Sequence, residues 1–211
     1  VIVIGKLESE NIDWVYHKFP DWQHAVYTID SPSSGRLHTL MDKGHEAMPY
    51  LTYIIEHYDR MPAIVVFLNS QPAEFPKQAE REGYEFDTVE KLRKINLDFV
   101  HEIGYANLRC VENPGCPAQQ KPFQDPREGH VIPEKALLDA WRELFNTSRV
   151  PDEIRAPCCS QFAVSRKQIL KRPMSDYRKY LDWLMRTPLD DDTSKAVFEY
   201  LWHVIFGMEP V

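Results

Sequence analysis

The stretch Leu189–Gly207, LDDDTSKAVFEYLWHVIFG, constrains the fold of this chain more than any other. Asp190, Asp191 and Asp192, followed by Thr193 and Ser194, form a helix start: side-chain oxygens cap orphan N–H groups and negative charge suits the dipole. Val197, Leu201, Val204 and Ile205 then recur at helical spacing, and Phe198, Trp202 and Phe206 widen the apolar surface. A helix apolar on nearly every side must be covered by other layers of the molecule. Yet Asp192, Lys195, Glu199 and His203 share one face. Ionisable groups on a buried helix cost desolvation unless they pair or line a cleft. Two readings stand. One is a structural row of ion pairs, Lys195 with Glu199 and Glu199 with His203; the other is a functional site.

The layers that could cover such a helix are visible upstream. Short β-branched or apolar runs at Val1–Gly5, His24–Asp30, Ala63–Asn69, Asn107–Val111 and Cys159–Ser165 read as strands. Between them, helical patterns are expected over Glu10–Phe19, Lys43–Asp59, Thr88–Asp98 and Pro133–Phe145, with Asp176–Arg186 after the last strand. Polar, irregular segments at 72–87 and 113–130, the latter with four prolines and two glycines, read as insertions or loops. Strands alternating with helices predict an α/β fold: a single layered domain over 1–211, Rossmann-like, with a mainly parallel central sheet flanked by helices.

Composition bounds the function. A chain of 211 residues with 43% hydrophobic and 27% charged residues is ordinary for a globular domain. It opens on VIVIGK without methionine, which suggests a trimmed piece of a longer product. No apolar run reaches membrane-spanning length, so no membrane partner is expected. A net charge of −7 argues against a molecule coated for nucleic acid. Locally the balance reverses. Arg166, Lys167, Lys171, Arg172, Arg178, Lys179 and Arg186 face two acidic residues, Asp176 and Asp182, and a phosphate backbone needs only such a patch. The alternative is a solvated pair of helix faces. Cys110, Cys116, Cys158 and Cys159 lack zinc-ribbon spacing and read as thiols of a reducing cytosol. A turn at Pro114-Gly115 leaves a Cys110–Cys116 disulfide open.

Several polar residues stand where α/β proteins place ligand contacts. Asp30 ends the second strand, as a ligand acceptor or as a turn initiator. Lys43, Glu46, Tyr50, Tyr53 and His57 form a polar stripe opposite an apolar face, either a cleft wall or a half-buried edge. Asn69 ends the central strand, where Leu68-Asn69-Ser70-Gln71 offers no Asp-x-Asp pair for a divalent metal. There is no Gly-rich phosphate loop and no G-x-S-x-G elbow.

Four stretches, KGHEAMPYLTYII (43–55), GYANLRCVENPGCP (104–117), APCCSQFAVSRKQI (156–169) and the final helix, resemble a largely fungal family long labelled as having unknown function. That family in turn resembles the arginine-containing cyclodipeptide synthases. The chain order is also similar to GT-A fold glycosyltransferases, with the metal-binding Asp-x-Asp replaced here. Asn69 stands where many relatives carry histidine. The resemblance implies a cytoplasmic transferase of natural-product biosynthesis that takes arginyl-tRNA and a second charged tRNA as partners and forms cyclo-arginine-Xaa dipeptides. An aminoacyl ester is already activated, so neither cofactor nor metal is called for. Residue types and positions then suggest roles. Glu199 is the base and His203 tunes it or relays the proton. Tyr50 or Tyr53 donates to the oxyanion. Asp190, Asp191, Asp192 or Glu46 forks the guanidinium, with Asp30 and Asn69 as further substrate contacts. Arg166, Lys167, Lys171, Arg172, Arg178 and Lys179 hold tRNA phosphates. A covalent variant would acylate Ser160, Ser165 or Cys159. The rival readings are a metal-independent GT-A-like glycosyltransferase and a non-catalytic binding protein on the same fold.

Overall fold

The computed structural model describes residues 1–31, 37–71, 88–108, 134–154, 156 and 160–210. Its strands are β1 (Ile2–Lys6), β2 (His24–Thr28), β3 (Ile64–Asn69), β4 (Tyr105–Asn107) and β5 (Phe162–Ser165). Its helices are α1 (Asp13–Lys18), α2 (Ala47–Glu56), α3 (Thr88–Arg93), α4 (Leu97–Ile103), α5 (Glu134–Phe145), α6 (Arg166–Ile169), α7 (Met174–Arg186) and α8 (Asp191–Ile205).

The strands form one sheet in the order β2-β1-β3-β5-β4. β1 pairs in parallel with β2 and β3, while β5 runs antiparallel between β3 and β4. The sheet is therefore mixed and mostly parallel, and the α/β class read from the alternation holds. Alternate side chains feed two cores, as the period of a strand requires. Val3, Tyr27, Phe67, Phe162 and Val164 pack with α2, α5, α7 and α8. Ile2, Ile4, Val66, Leu68 and Ala163 pack with α1, α3 and α4 on the other face. α8 lies in the first of these layers, with Val197, Phe198 and Leu201 at 0% exposure, each worth about 1.5–3 kcal/mol of burial.

Some boundaries move. The helix expected over Thr88–Asp98 is two, because Asn96 caps a new start, its side chain accepting the Phe99 N–H. The first helix begins at Asp13; Glu10 instead accepts the Leu7 N–H. The last strand begins at Phe162, not at Cys159. The expected loops at 72–87 and 113–130, and all four cysteines, fall outside the described residues. Among the described residues, no helix is long and apolar enough to cross a membrane.

Candidate functional site

β2 and β3 lie on opposite sides of β1, so the chain reverses direction across the sheet between β1 and β3. In open α/β sheets the crevice beyond the carboxyl ends of the strands at such a point is the usual ligand position. Gly5 and Asn69 face each other there in register. A Cβ on Gly5 would come within 2.4 Å of Pro49 Cγ, so glycine lets the first turn of α2 close over the end of β1. The same edge carries Gln161, just before β5.

The loop entering α2 is clasped to the start of α8. Lys43 Nζ donates to the Leu189 carbonyl and lies 3.5 Å from Asp191 Oδ1. The Gly44 N–H donates to Asp191 Oδ1 at 3.2 Å, and His45 Nε2 lies 3.3 Å from Asp192 Oδ1. Glu46 Oε1 pairs with Lys195 Nζ at 3.2 Å. Gly44 and His45 hold left-handed backbones, φ 63 and 48, a costly conformation for histidine that the surrounding contacts maintain. Asp190 caps α8 by accepting the Thr193 N–H at 2.7 Å, which holds its carboxyl below the usual carboxylate range.

Glu46 is the centre of this arrangement. Its residue is 8% exposed, and its second oxygen, Oε2, is buried with no hydrogen-bond partner among the described residues. A buried carboxylate oxygen is costly unless something donates to it. A cation or an N–H donor fits. One turn further along α2, Tyr50 is fully buried, its ring 4.7 Å from Phe67, 5.8 Å from Trp202 and 6.0 Å from Phe162. Asn69, 2% exposed, shares the strand face of Phe67. Glu199 is half-buried on α8, one turn beyond Lys195.

The structure thus brings Asp191 and Asp192 to the loop that leads to Glu46, and sets Pro49 and Tyr50 of α2 over the ends of β1 and β3, where Asn69 lies. It separates the others. Tyr53 stacks on His57 at 4.2 Å, and its phenol, pushed up to about 12 by burial, lies near Tyr27 rather than near Glu46. His203 faces the C-terminal segment: the Pro210 backbone hydrogen-bonds it, and burial pulls its pKa down. Asp30 is exposed and accepts the Glu8 N–H at 2.8 Å, as a turn residue does. Lys195, one turn before Glu199 on α8, also reaches across to Glu46 at the start of α2.

The basic segment divides into cations held within the fold and cations at the surface. Arg172 donates through Nε to the Ile205 carbonyl at 2.7 Å and lies 5.7 Å from the rings of Phe145 and Tyr180. Lys179 donates to the Leu144 carbonyl at 3.0 Å. Both satisfy orphan carbonyls at helix C-termini, where cations are favoured. Both are thus engaged within the fold. Arg166, Lys167, Lys171 and Arg178 are exposed, but Arg166 follows the β5 end paired with Ile64, at the opposite edge from Glu46. Ser165 is the buried cap of α6, accepting the Gln168 N–H, which removes it as a nucleophile candidate. Ser160 stays at the crevice edge with a left-handed backbone, φ 46; Cys159 lies outside the described residues.

Two residues of the edge were absent from the sequence-based site. Lys195 stood in the ionisable stripe, which was the signal for it. Gln161 had none: it is 0% exposed, its Oε1 accepts the Thr88 hydroxyl, and Nε2 has no partner among the described residues. Among the described residues no group of three or more His, Cys, Asp or Glu side chains could hold a metal ion.

A family model described as "Protein of unknown function (DUF3431)" matches residues 2–211. The chain belongs to the DUF3431 family. Comparison with curated proteins and with solved structures gives no match. In this DUF3431 chain a buried carboxylate is paired with one lysine, the acidic start of α8 lies beside it, and Tyr50, Phe162 and Trp202 form a buried aromatic cluster in the core beneath α2.

Proposed function

We propose that this protein is an aminoacyl-tRNA-dependent cyclodipeptide synthase that makes cyclo-arginine-Xaa dipeptides. The observation that carries the reading is the buried Oε2 of Glu46, without a partner among the described residues while Lys195 occupies Oε1. A guanidinium presents several N–H donors in one plane and matches such an acceptor.

The reaction is two acyl transfers. The α-amine of one aminoacyl group attacks the ester carbonyl of the other, and the tetrahedral oxyanion collapses as the first tRNA leaves by its ribose oxygen. The free α-amine of the dipeptidyl ester then attacks its own ester carbonyl, closing the ring and releasing the second tRNA. Each amine must lose a proton, which the leaving ribose oxygen takes up. Glu199 carries that proton, and positioning by the crevice supplies much of the rate. Glu46 accepts the guanidinium.

A second reading draws on the crevice between β1 and β3, where a nucleoside diphosphate sugar would sit in a GT-A-like glycosyltransferase.

The test is mass spectrometry of products from purified protein given tRNA, synthetases, ATP and amino acids. A ribonuclease-sensitive cyclic dipeptide containing arginine is expected. Glu199→Gln should abolish every product, and Glu46→Gln should lose the preference for arginine. If charging is verified and no cyclic dipeptide forms, the synthase reading falls. Thermal stabilisation by a nucleotide sugar would then support the second reading.

A further inference from the structure

A pocket of about 320 Å³ opens between β2, the Leu37–Leu40 segment, α2 and α7, away from the candidate site. Glu56 on its wall is ten residues beyond Glu46 on the same helix, roughly 15 Å at the α-helical rise. Its walls are largely apolar. Leu37, Leu40, Ile55 and Leu181 line it, and Leu37 and Leu40 are 44% and 72% exposed at the mouth. Isolated exposed leucines need no explanation, but exposed leucines converging on one concavity mark a surface that gains by being covered.

The polar part of this pocket is fixed. The Tyr27 hydroxyl donates to Glu56 Oε2 at 2.6 Å. Tyr27 is fully buried in the core, and burial with the adjacent carboxylate keeps its phenol from ionising. The hydrogen bond therefore has one direction: neutral phenol donates and carboxylate accepts. An ionised carboxylate can accept several hydrogen bonds, so Glu56 retains capacity for another donor. His38 also lines the pocket.

We propose that this pocket binds a small organic cation with an apolar body, a primary amine on an aliphatic or aromatic frame. The ammonium donates to Glu56 at the mouth, and the body lies against Leu40, Ile55 and Leu181. A neutral analogue keeps only the apolar contacts; an anion meets the Glu56 charge. This site is independent of the acyl-transfer reading.

The experiment is calorimetric and NMR titration of the whole chain with 2-phenylethylamine, and in parallel with 2-phenylethanol, at pH 8. The amine should bind about two- to fivefold more tightly than the alcohol, the worth of an ion pair at an exposed carboxylate. Glu56→Gln should erase that difference. Leu40→Ser, at an exposed position, should weaken both probes alike. Equal binding of amine and alcohol overturns the proposal, as does binding of neither, or amine binding that survives Glu56→Gln in a variant melting like the parent.

Discussion

His203 shows how burial changes what a residue can do. On sequence it reads as a partner of Glu199. In the fold it is 8% exposed, and desolvation outweighs the opposing hydrogen bond to the Pro210 backbone. A histidine kept neutral in the folded chain makes stability depend on pH. Between its lowered folded pKa and the ordinary value of about 6.5, the unfolded chain binds more protons than the folded one. Stability is therefore lost as pH falls through that window and is flat above it. His24, whose pKa is lowered by the same cause, adds to the slope in the same sense. We predict that the melting temperature drops from pH 7.5 to pH 5 and that His203→Gln flattens this drop. A parallel profile for the variant would exclude His203 as the group responsible. The residue scale also explains why Arg172 and Lys179 are engaged within the fold. Charge and spacing were visible; that two helices would end within their reach was not.

At the scale of elements, α2, α8, β1 and β3 were legible because their signals are local: an acidic cap, a 3.6-residue period, short β-branched runs. What was not legible depends on neighbours. The antiparallel direction of β5 follows from which edge the chain reaches after α5, and no periodicity encodes that. The Lys195–Glu46 pair joins residues 149 positions apart, and no pattern along a single helix points to it. Arg172 gives this scale its prediction. It ties the end of α8 to the start of α7, donating to the carbonyls of Ile205 and Val204 and lying near Asp176. Hydrogen bonds from a charged donor are worth about 1.5–3 kcal/mol, and its guanidinium also lies over two rings. We expect Arg172→Met to lower the unfolding free energy by about 2–3 kcal/mol in urea denaturation. Arg172→Lys should recover little, because one ammonium cannot copy a guanidinium fork. In the folded variant, tRNA affinity should match the parent. A selective loss of affinity without loss of stability would return Arg172 to the phosphate-binding set.

For the molecule as a whole, the candidate residues fall at two ends of the sheet. The Glu46 crevice stands at the carboxyl ends of β1 and β3, while Arg166 and Lys167 follow the far end of β5. A strand of six residues spans roughly 20 Å, so a phosphate held by these cations is at least a strand length from the reacting ester. Under the synthase reading they therefore bind the helical stem of tRNA and not its terminal nucleotides, and they contribute affinity without touching chemistry. Such contacts act through counterion release, with about 0.7–0.9 of a log–log salt slope for each phosphate neutralised. Replacing Arg166 and Lys167 together by glutamine should weaken tRNA binding and reduce that slope by about one and a half. Turnover at saturating tRNA should stay at the parent value, because neither side chain reaches the crevice. The measurement is a filter-binding salt series alongside product formation at saturating tRNA. An unchanged slope would remove the far edge from the tRNA path and shift the search to cations nearer the crevice. A fall in saturated turnover would instead mean that the stem contact sets the register of the ester, coupling the two ends of the sheet through the bound RNA.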